Sequence, residues 1–264
     1  MEIEIDSIAQ KLNTRQQQIL RLVQQQGYVS IETLAQTFDV TPQTIRRDIN
    51  ELCDQQLLKR YHGGAGLSSS VENDAYAARQ VMNLEEKRSI ARLVASHIPN
   101  RAAIFINIGT TTEEIARALQ GHNGLRVITN NLHVASILST NPSFEVIVAG
   151  GVVRQRDGGI TGEATIDFIS QFRVDYGIIG ISGVDEDGTL LDFDYHEVRV
   201  AQAIIAHSRR VFLAADHSKF ERRALVRLGN LAEIDDLFTD RMPSKSIAAM
   251  LAAGKVGLHI AAPA

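Results

Sequence analysis

Two guanidinium groups and two carboxamides stand close together in the stretch Thr41-Pro42-Gln43-Thr44-Ile45-Arg46-Arg47-Asp48-Ile49-Asn50-Glu51-Leu52. Ile45, Ile49 and Leu52 repeat at i, i+4 and i+7, one stripe of a helix. At about 100° per residue, Gln43, Arg46, Arg47 and Asn50 fall on the other side. Arginine forks and amide side chains read base edges in a major groove, and hydroxyls such as those of Thr41 and Thr44 bond phosphate oxygens. A solvated helix face can have the same composition, so the flanking sequence has to decide.

A second set of residues suits a small anion. Asn107-Ile108-Gly109-Thr110-Thr111-Thr112 ends an apolar run and enters a helical pattern. Backbone amides at such a helix start, with the positive end of its dipole and nearby hydroxyls, hold phosphate groups. The same stretch also reads as a plain threonine cap. Further apolar runs end in Asn130-Asn131, in Gly150-Gly151 followed by Arg154 and Arg156, in Ser182-Gly183, and in Asp216-His217-Ser218-Lys219. Lys219 and Arg154 are candidate countercharges for a phosphate. Asn107, Gly109, Thr110, Thr111, Thr112, Asn130, Gly150, Gly151, Arg154, Ser182, Gly183 and Lys219 therefore form the candidate anion site.

The elements that would position the first set are readable. Asn13 or Thr14 can cap a helix carrying Ile19, Leu20, Leu22 and Val23, stopped at Gly27. Tyr28-Val29 reads as a short extended link. Ser30 caps a second helix, with Ile31, Leu34, Ala35 and Phe38 as its buried stripe. Asp39-Val40 turns into the third, where Thr41 caps and Pro42 takes the first helical position. Two short helices meeting at a tight turn, the second with a polar face, make a helix-turn-helix. Leu57 to Ala65 then reads as a strand, a Gly-Gly turn and a return strand, a basic wing on which Lys59, Arg60 and His62 would follow a phosphate backbone.

The second set needs a sheet. Residues 102–108, 126–129, 144–149, 176–181, 211–215, 237–239 and 256–260 read as short strands. They alternate with helical patterns over 112–119, 132–138, 165–172, 196–207 and 245–253. That alternation predicts a doubly wound, mainly parallel α/β domain, whose ligands bind beyond the carboxyl ends of the strands. The expected organisation is a winged helix over 12–67, a linker over 68–84 and an α/β domain over 85–264. Residues 1 to about 12 read as a loose extension.

Composition narrows the class. At 264 residues, 44% hydrophobic and 22% charged, the chain is typical of a globular protein with two domains. Net charge is −4, so nucleic acid would be met by a local basic patch and not by the whole surface. Cys53 is the one cysteine, which excludes an intrachain disulfide or a cysteine metal cluster, and reads as a core residue. The start Met1-Glu2-Ile3-Glu4 is acidic, unlike a secretory leader, and no apolar run approaches the roughly 20 residues of a membrane span. A cytoplasmic protein without membrane contact or cofactor is expected. No Walker motif, GxGxxG or HExxH occurs. Asp157-Gly158-Gly159 and Asp187-Gly188 are turn signals, and His196-Glu197 reads as a helix cap.

These residues together resemble the DeoR family of bacterial transcriptional repressors over about 12–260. Thr41 to Asn50 matches the family's helix-turn-helix, and Arg60-Tyr61-His62-Gly63-Gly64-Ala65 its wing. Gly162 to Arg173 and Leu191 to Arg199 add long, specific matches. The resemblance implies a homo-oligomeric repressor, dimer or tetramer, on double-stranded operator DNA of a glycerol catabolic regulon. Glycerol 3-phosphate or a similar sugar phosphate would release it by binding a ribose-5-phosphate-isomerase-like second domain. One departure is Asn107, where an aspartate is expected from the resemblance. Two other readings compete: an isomerase with a DNA-binding appendix, and an activator or architectural protein without effector. Ser182-Gly183-Val184-Asp185-Glu186 is similar to the isomerase's acidic loop, but Ser182 replaces its first aspartate and no lysine lies between Asp185 and Arg210. General acid–base chemistry needs those groups within reach of the proton.

Overall fold

A computed structural model describes residues 12–26, 28–54, 57–61, 63–67, 76–220 and 222–262. The N-terminal extension, the helix stop at Gly27, His62 and the first part of the expected linker, 68–75, lie outside them. The chain forms two compact units that divide between Met82 and Asn83.

The first unit opens with helix α1 (Thr14–Gln26). Asn13 and Gln16 cap it reciprocally. Asn13 Oδ1 accepts the Gln16 amide at 2.9 Å, and Gln16 Oε1 accepts the Asn13 amide at 3.1 Å. Strand β1 (Tyr28–Ser30) follows, then α2 (Ile31–Phe38), capped by Ser30 Oγ on the Thr33 amide at 3.0 Å. Asp39 takes a left-handed conformation, φ 50°, and turns the chain toward α3 (Pro42–Asp54). Strands β2 (Leu58–Tyr61) and β3 (Gly64–Leu67) make the wing, with Gly63 at φ 83° in its turn. The Tyr28-Val29 link proves to be a sheet strand. β1 pairs antiparallel with β3, giving the order β1-β3-β2. Helix α4 (Tyr76–Val81) occupies residues expected to be linker and lies against β1. Ile19, Val23, Leu34, Ile45, Ile49 and Leu52 close one core beneath the three helices.

In the second unit, helix α5 (Leu84–Ser96) precedes a seven-stranded sheet. Its strands are β4 (Ala103–Ile106), β5 (Arg126–Thr129), β6 (Glu145–Val148), β9 (Val174–Ile179), β12 (Ser208–Ala214), β14 (Asp236–Thr239) and β15 (Gly257–Ile260). Every pairing among them is parallel, and the order is β15-β14-β12-β9-β4-β5-β6. Each of the seven expected runs is a strand of this sheet. Helices α6 (Thr110–Ala118), α7 (Leu132–Leu138), α8 (Glu163–Ser170), α9 (Tyr195–Ala206) and α10 (Lys245–Ala253) connect them. Apolar clusters cover both faces, as a parallel sheet requires.

The chain lays strands outward from β4 to β6, then returns to β9 and proceeds the other way. The reversal between β4 and β9 opens the sheet's carboxyl ends there. Two small antiparallel additions had no sequence signal. They are the hairpin β7 (Val152–Val153)–β8 (Ile160–Thr161) and the sheet β10 (Gly183–Val184), β11 (Thr189–Asp192), β13 (Val226–Asn230). β7, β8 and β10 have two residues each and carry no period to read, and β11 and β13 are paired with segments far along the chain.

Candidate functional site

The polar face of α3 is exposed as its periodicity requires. Gln43, Arg46, Arg47 and Asn50 are solvent-facing, while Ile45, Ile49 and Leu52 are buried. Thr41 caps the helix. Its Oγ1 accepts the Thr44 amide at 3.3 Å and lies 2.9 Å from the Thr44 hydroxyl. Arg46 reaches back to Gln43 Oε1 at 3.4 Å, and Arg47 pairs with Glu51 at 3.2 Å. Asp48, pointing inward, holds Arg15 of α1 at 2.6 and 3.2 Å, tying the two helices together. Arg60 donates to Asn50 Oδ1 at 2.9 Å, which joins wing to helix, and the Lys59 ammonium lies 5.6 Å from the Tyr61 ring centre. A cleft of about 500 Å3, lined by Ile31, Arg46, Arg60, Tyr61 and Gly63, opens between them. The structure thus exposes Thr41, Gln43, Arg46, Arg47 and Asn50 on α3, leaves Thr44 half-buried, and brings Arg60 beside Asn50, while Lys59, next along the strand, turns to the other face of β2. His62 lies outside the described residues.

The second candidate site lies along the carboxyl ends of the parallel strands. Four polar atoms there are buried with no hydrogen-bond partner: Asn107 Oδ1 after β4, Asn130 Oδ1 after β5, Asp216 Oδ2 after β12, and Thr239 Oγ1 closing β14. Buried polar atoms are nearly always paired, so four along one edge of the sheet make that edge the second candidate site among the described residues. Gly109 precedes α6 at φ 150° and offers no side chain to cap it. Thr110 and Thr111 follow in the first turn. Asp216 accepts from Asn83 at 2.9 Å and from the Ser218 amide at 3.0 Å. Burial alone would raise the Asp216 carboxyl, but the charges of Lys219 and Lys87 and bonds from Ser218 hold it below the usual carboxylate range. Lys219 therefore already faces one carboxylate.

Other predicted contacts have different work. The Thr112 hydroxyl donates to the carbonyl oxygens of Asn107 and Gly109, at 2.8 and 2.7 Å, and the residue is fully buried. It shapes the loop and has no hydroxyl to offer a ligand. Arg154 is a clasp and not an open countercharge. Its guanidinium meets Asp157 at 2.7 Å, Glu197 at 2.8 Å and Asp194 at 3.0 Å, so three carboxylates surround one cation. Arg156 also pairs with Asp194, at 2.8 Å. The clasp fastens the β7–β8 hairpin to the start of α9, where Asp194 caps the His196 amide at 2.9 Å. Burial would raise Asp194, but the Glu197 amide and the two arginines lower it further. Gly183 and Gly151 are packing glycines. A Cβ on the first would come within 2.1 Å of the Arg222 carbonyl oxygen, and on the second within 2.1 Å of Thr165 Oγ1. Gly150 gives its carbonyl to the Thr165 hydroxyl at 2.8 Å. Ser182 is buried at the end of β9. Thr239 and Asp216 were not among the predicted contacts; their signal was only their place at the ends of apolar runs.

The hairpin covers the β5 end of the rim. Ile160 donates to the Asn130 carbonyl at 2.7 Å, and Asn130 Nδ2 donates to the Ile160 carbonyl at 3.0 Å. Gly159 sits so close to Ile108 that a Cβ would come within 2.6 Å of its Cδ1.

A winged helix followed by a parallel sheet with this rim is the plan of a DeoR-type DNA-binding regulator, and the chain belongs to the DeoR family. Residues 15–71 match the DeoR-like helix-turn-helix domain, and residues 82–241 the DeoR C terminal sensor domain. Among curated relatives, the glycerol-3-phosphate regulon repressor of Escherichia coli (strain K12) is 53% identical over 250 residues, covering 95% of this chain and 99% of that protein. The protein of the same name from Haemophilus influenzae is 54% identical over 88% of this chain and 91% of its own length. The HTH-type transcriptional repressor CsqR of E. coli is 46% identical over 90% and 92%. Among solved structures, ribose 5 phosphate isomerase A from Neisseria gonorrhoeae aligns over 52% of this chain and 53% of its own at 16% identity and TM-score 0.38, a likeness too low to argue from. No helix among the described residues is long and apolar enough to cross a membrane.

Proposed function

We propose that this protein represses a glycerol 3-phosphate catabolic regulon in the cytoplasm and leaves its operator when a small phosphorylated effector, glycerol 3-phosphate first among candidates, binds the second unit. The observation that carries the effector half is the rim of four unpartnered buried polar atoms beside the uncapped start of α6. The high identity to the two regulon repressors supports the choice of regulon. In this reading α3 enters the major groove. Gln43, Arg46, Arg47 and Asn50 meet bases, and Thr41, Thr44, Lys59, Arg60 and His62 meet the backbone. The effector contacts are Asn107, Thr110, Thr111, Asn130 and Ser182, with the amides around Gly109 and Lys219 supplying positive potential.

The protein acts as a homo-oligomer, since a two-fold operator needs paired recognition helices about 34 Å apart. Effector favours one conformation of the second unit, and that conformation mis-spaces the helices. An enzymatic role is not part of this reading: Asp185 and Glu186 are exposed on the turn before β11, and Ser182 stands where the isomerase's acidic loop begins with aspartate. Fluorescence anisotropy on labelled promoter DNA tests the proposal. Glycerol 3-phosphate should weaken binding, and equal affinity with and without it refutes control by that effector.

A further inference from the structure

Asn107 and Asn130 stand at the ends of neighbouring parallel strands, one position beyond the last paired residues, Ile106 and Thr129. Alternation puts both side chains on one face of the sheet. Phe105 and Ile128, two residues before each, belong to the same apolar cluster. Both asparagines are buried, 2% and 1% exposed, and both Oδ1 atoms lack a partner. Adjacent strands are spaced about 4.8 Å, which sets the two residues side by side at the carboxyl edge of the sheet.

The orientation of Asn130 is determined. Its Nδ2 donates to the Ile160 carbonyl at 3.0 Å, and turning the amide round would set two oxygens face to face. Asn130 can therefore offer the rim only an acceptor. Because the two groups are neutral, a desolvated ammonium would find no countercharge on them, whereas neutral hydroxyl donors match. Unlike a carboxyl group, a carboxamide cannot take up a proton and become a donor to a ketone.

Building on the effector reading above, we propose that this pair selects a vicinal diol. In a phosphorylated polyol, the hydroxyl next to the phosphate-bearing carbon donates to Asn107 Oδ1 and the terminal one to Asn130 Oδ1, with the phosphate toward the start of α6. A ligand with a carbonyl or a bare methylene in place of one hydroxyl leaves a buried acceptor unmatched. Sites built to bond a hydroxyl discriminate against analogues lacking it.

Isothermal titration of the full chain with sn-glycerol 3-phosphate, dihydroxyacetone phosphate, 3-hydroxypropyl phosphate and inorganic phosphate tests this. The diol should bind about 10- to 100-fold more tightly than the ketone or the deoxy ester. Asn107→Leu, similar in volume but without an acceptor, should bring the three esters together while retaining inorganic phosphate. If the variant does not fold, the wild-type ratio decides alone. Equal wild-type affinities for the three esters, or an undiminished preference in folded Asn107→Leu, would overturn the inference and leave the effector reading standing. Failure of all four ligands to bind would sink both.

Discussion

The two units expose and bury charge in opposite ways. On the winged helix, the groups offered to a partner are outside and the ones that hold the fold are inside: Arg46 and Arg47 face solvent, while Asp48 turns in to Arg15. In the α/β unit the polar atoms that stand out are buried and lack a hydrogen-bond partner: one oxygen each of Asn107, Asn130, Asp216 and Thr239. A large, rigid polyanion can be met by exposed side chains, because each phosphate contact displaces counterions. A small molecule has few atoms, so it must be surrounded and drawn out of water by fixed polar groups. In the proposed reading the cost is unmatched hydrogen-bonding capacity in the free protein, which an effector would offset on binding.

Several measurements would break or sharpen this contrast. The largest effect is expected from Arg154→Ala, which takes the shared cation from Asp157, Asp194 and Glu197 and leaves only the more exposed Arg156 beside Asp194 and Asp157. A loss of about 3–5 kcal/mol in urea unfolding of the second unit should follow. A change near zero would mean that the hairpin holds by its backbone bonds alone. Ile49→Ala, at a fully packed position of the first core, should cost about 2–5 kcal/mol there and abolish DNA binding. Phosphate-ester binding by calorimetry should survive; if it falls in parallel, the units do not act separately.

On the exposed face, Arg46→Ala should weaken operator affinity by about 1–3 kcal/mol, the value of a bidentate base contact. Arg47→Ala should cost less, because Glu51 already engages that guanidinium. Anisotropy over a salt series on operator and unrelated DNA distinguishes them, since a phosphate contact changes the salt slope on both. The reverse ranking would exchange the roles assigned to the two arginines. Thr41→Ala should remove about 1 kcal/mol through the lost cap of α3, read as a lower melting temperature of the first unit.

The smallest effect is expected in acid. Asp194 and Asp216 have folded-state pKa values below the ordinary one. Their stabilisation is fully present above about pH 4 and is lost as pH falls through the depressed values. Melting of the second unit should be flat from pH 7 to 5 and decline below 4; an unchanged melt at pH 3 would show that neither pair supports the fold.

Much of the molecule could be read from residue order. Pro42 after Thr41, with Ile45, Ile49 and Leu52 on one stripe, is enough to aim Arg46 and Arg47 outward, because a helix relates residues a few positions apart. The seven apolar runs likewise became the seven parallel strands. The Arg154 clasp was not visible. Its partners Asp194 and Glu197 are about 40 positions away in the chain, and Arg154 looks like an open cation until α9 is placed beside it. The short hairpin strands β7 and β8 and the ladder role of Tyr28-Val29 were hidden for a similar reason, since pairing partners far along the chain leave no local period.

What the sequence determined alone was periodic: which residues are helix or strand, which side of each is apolar, and hence which side chains of α3 meet water. Tertiary structure decided adjacency. That Asn107 and Asn130 end side by side, that Lys87 of α5 lends its charge to Asp216, and that Gly183 packs on the Arg222 carbonyl are all decided by how distant segments pack, with the strand reversal between β4 and β9. Strand order depends on long-range burial and backbone pairing, which no short window of residues contains.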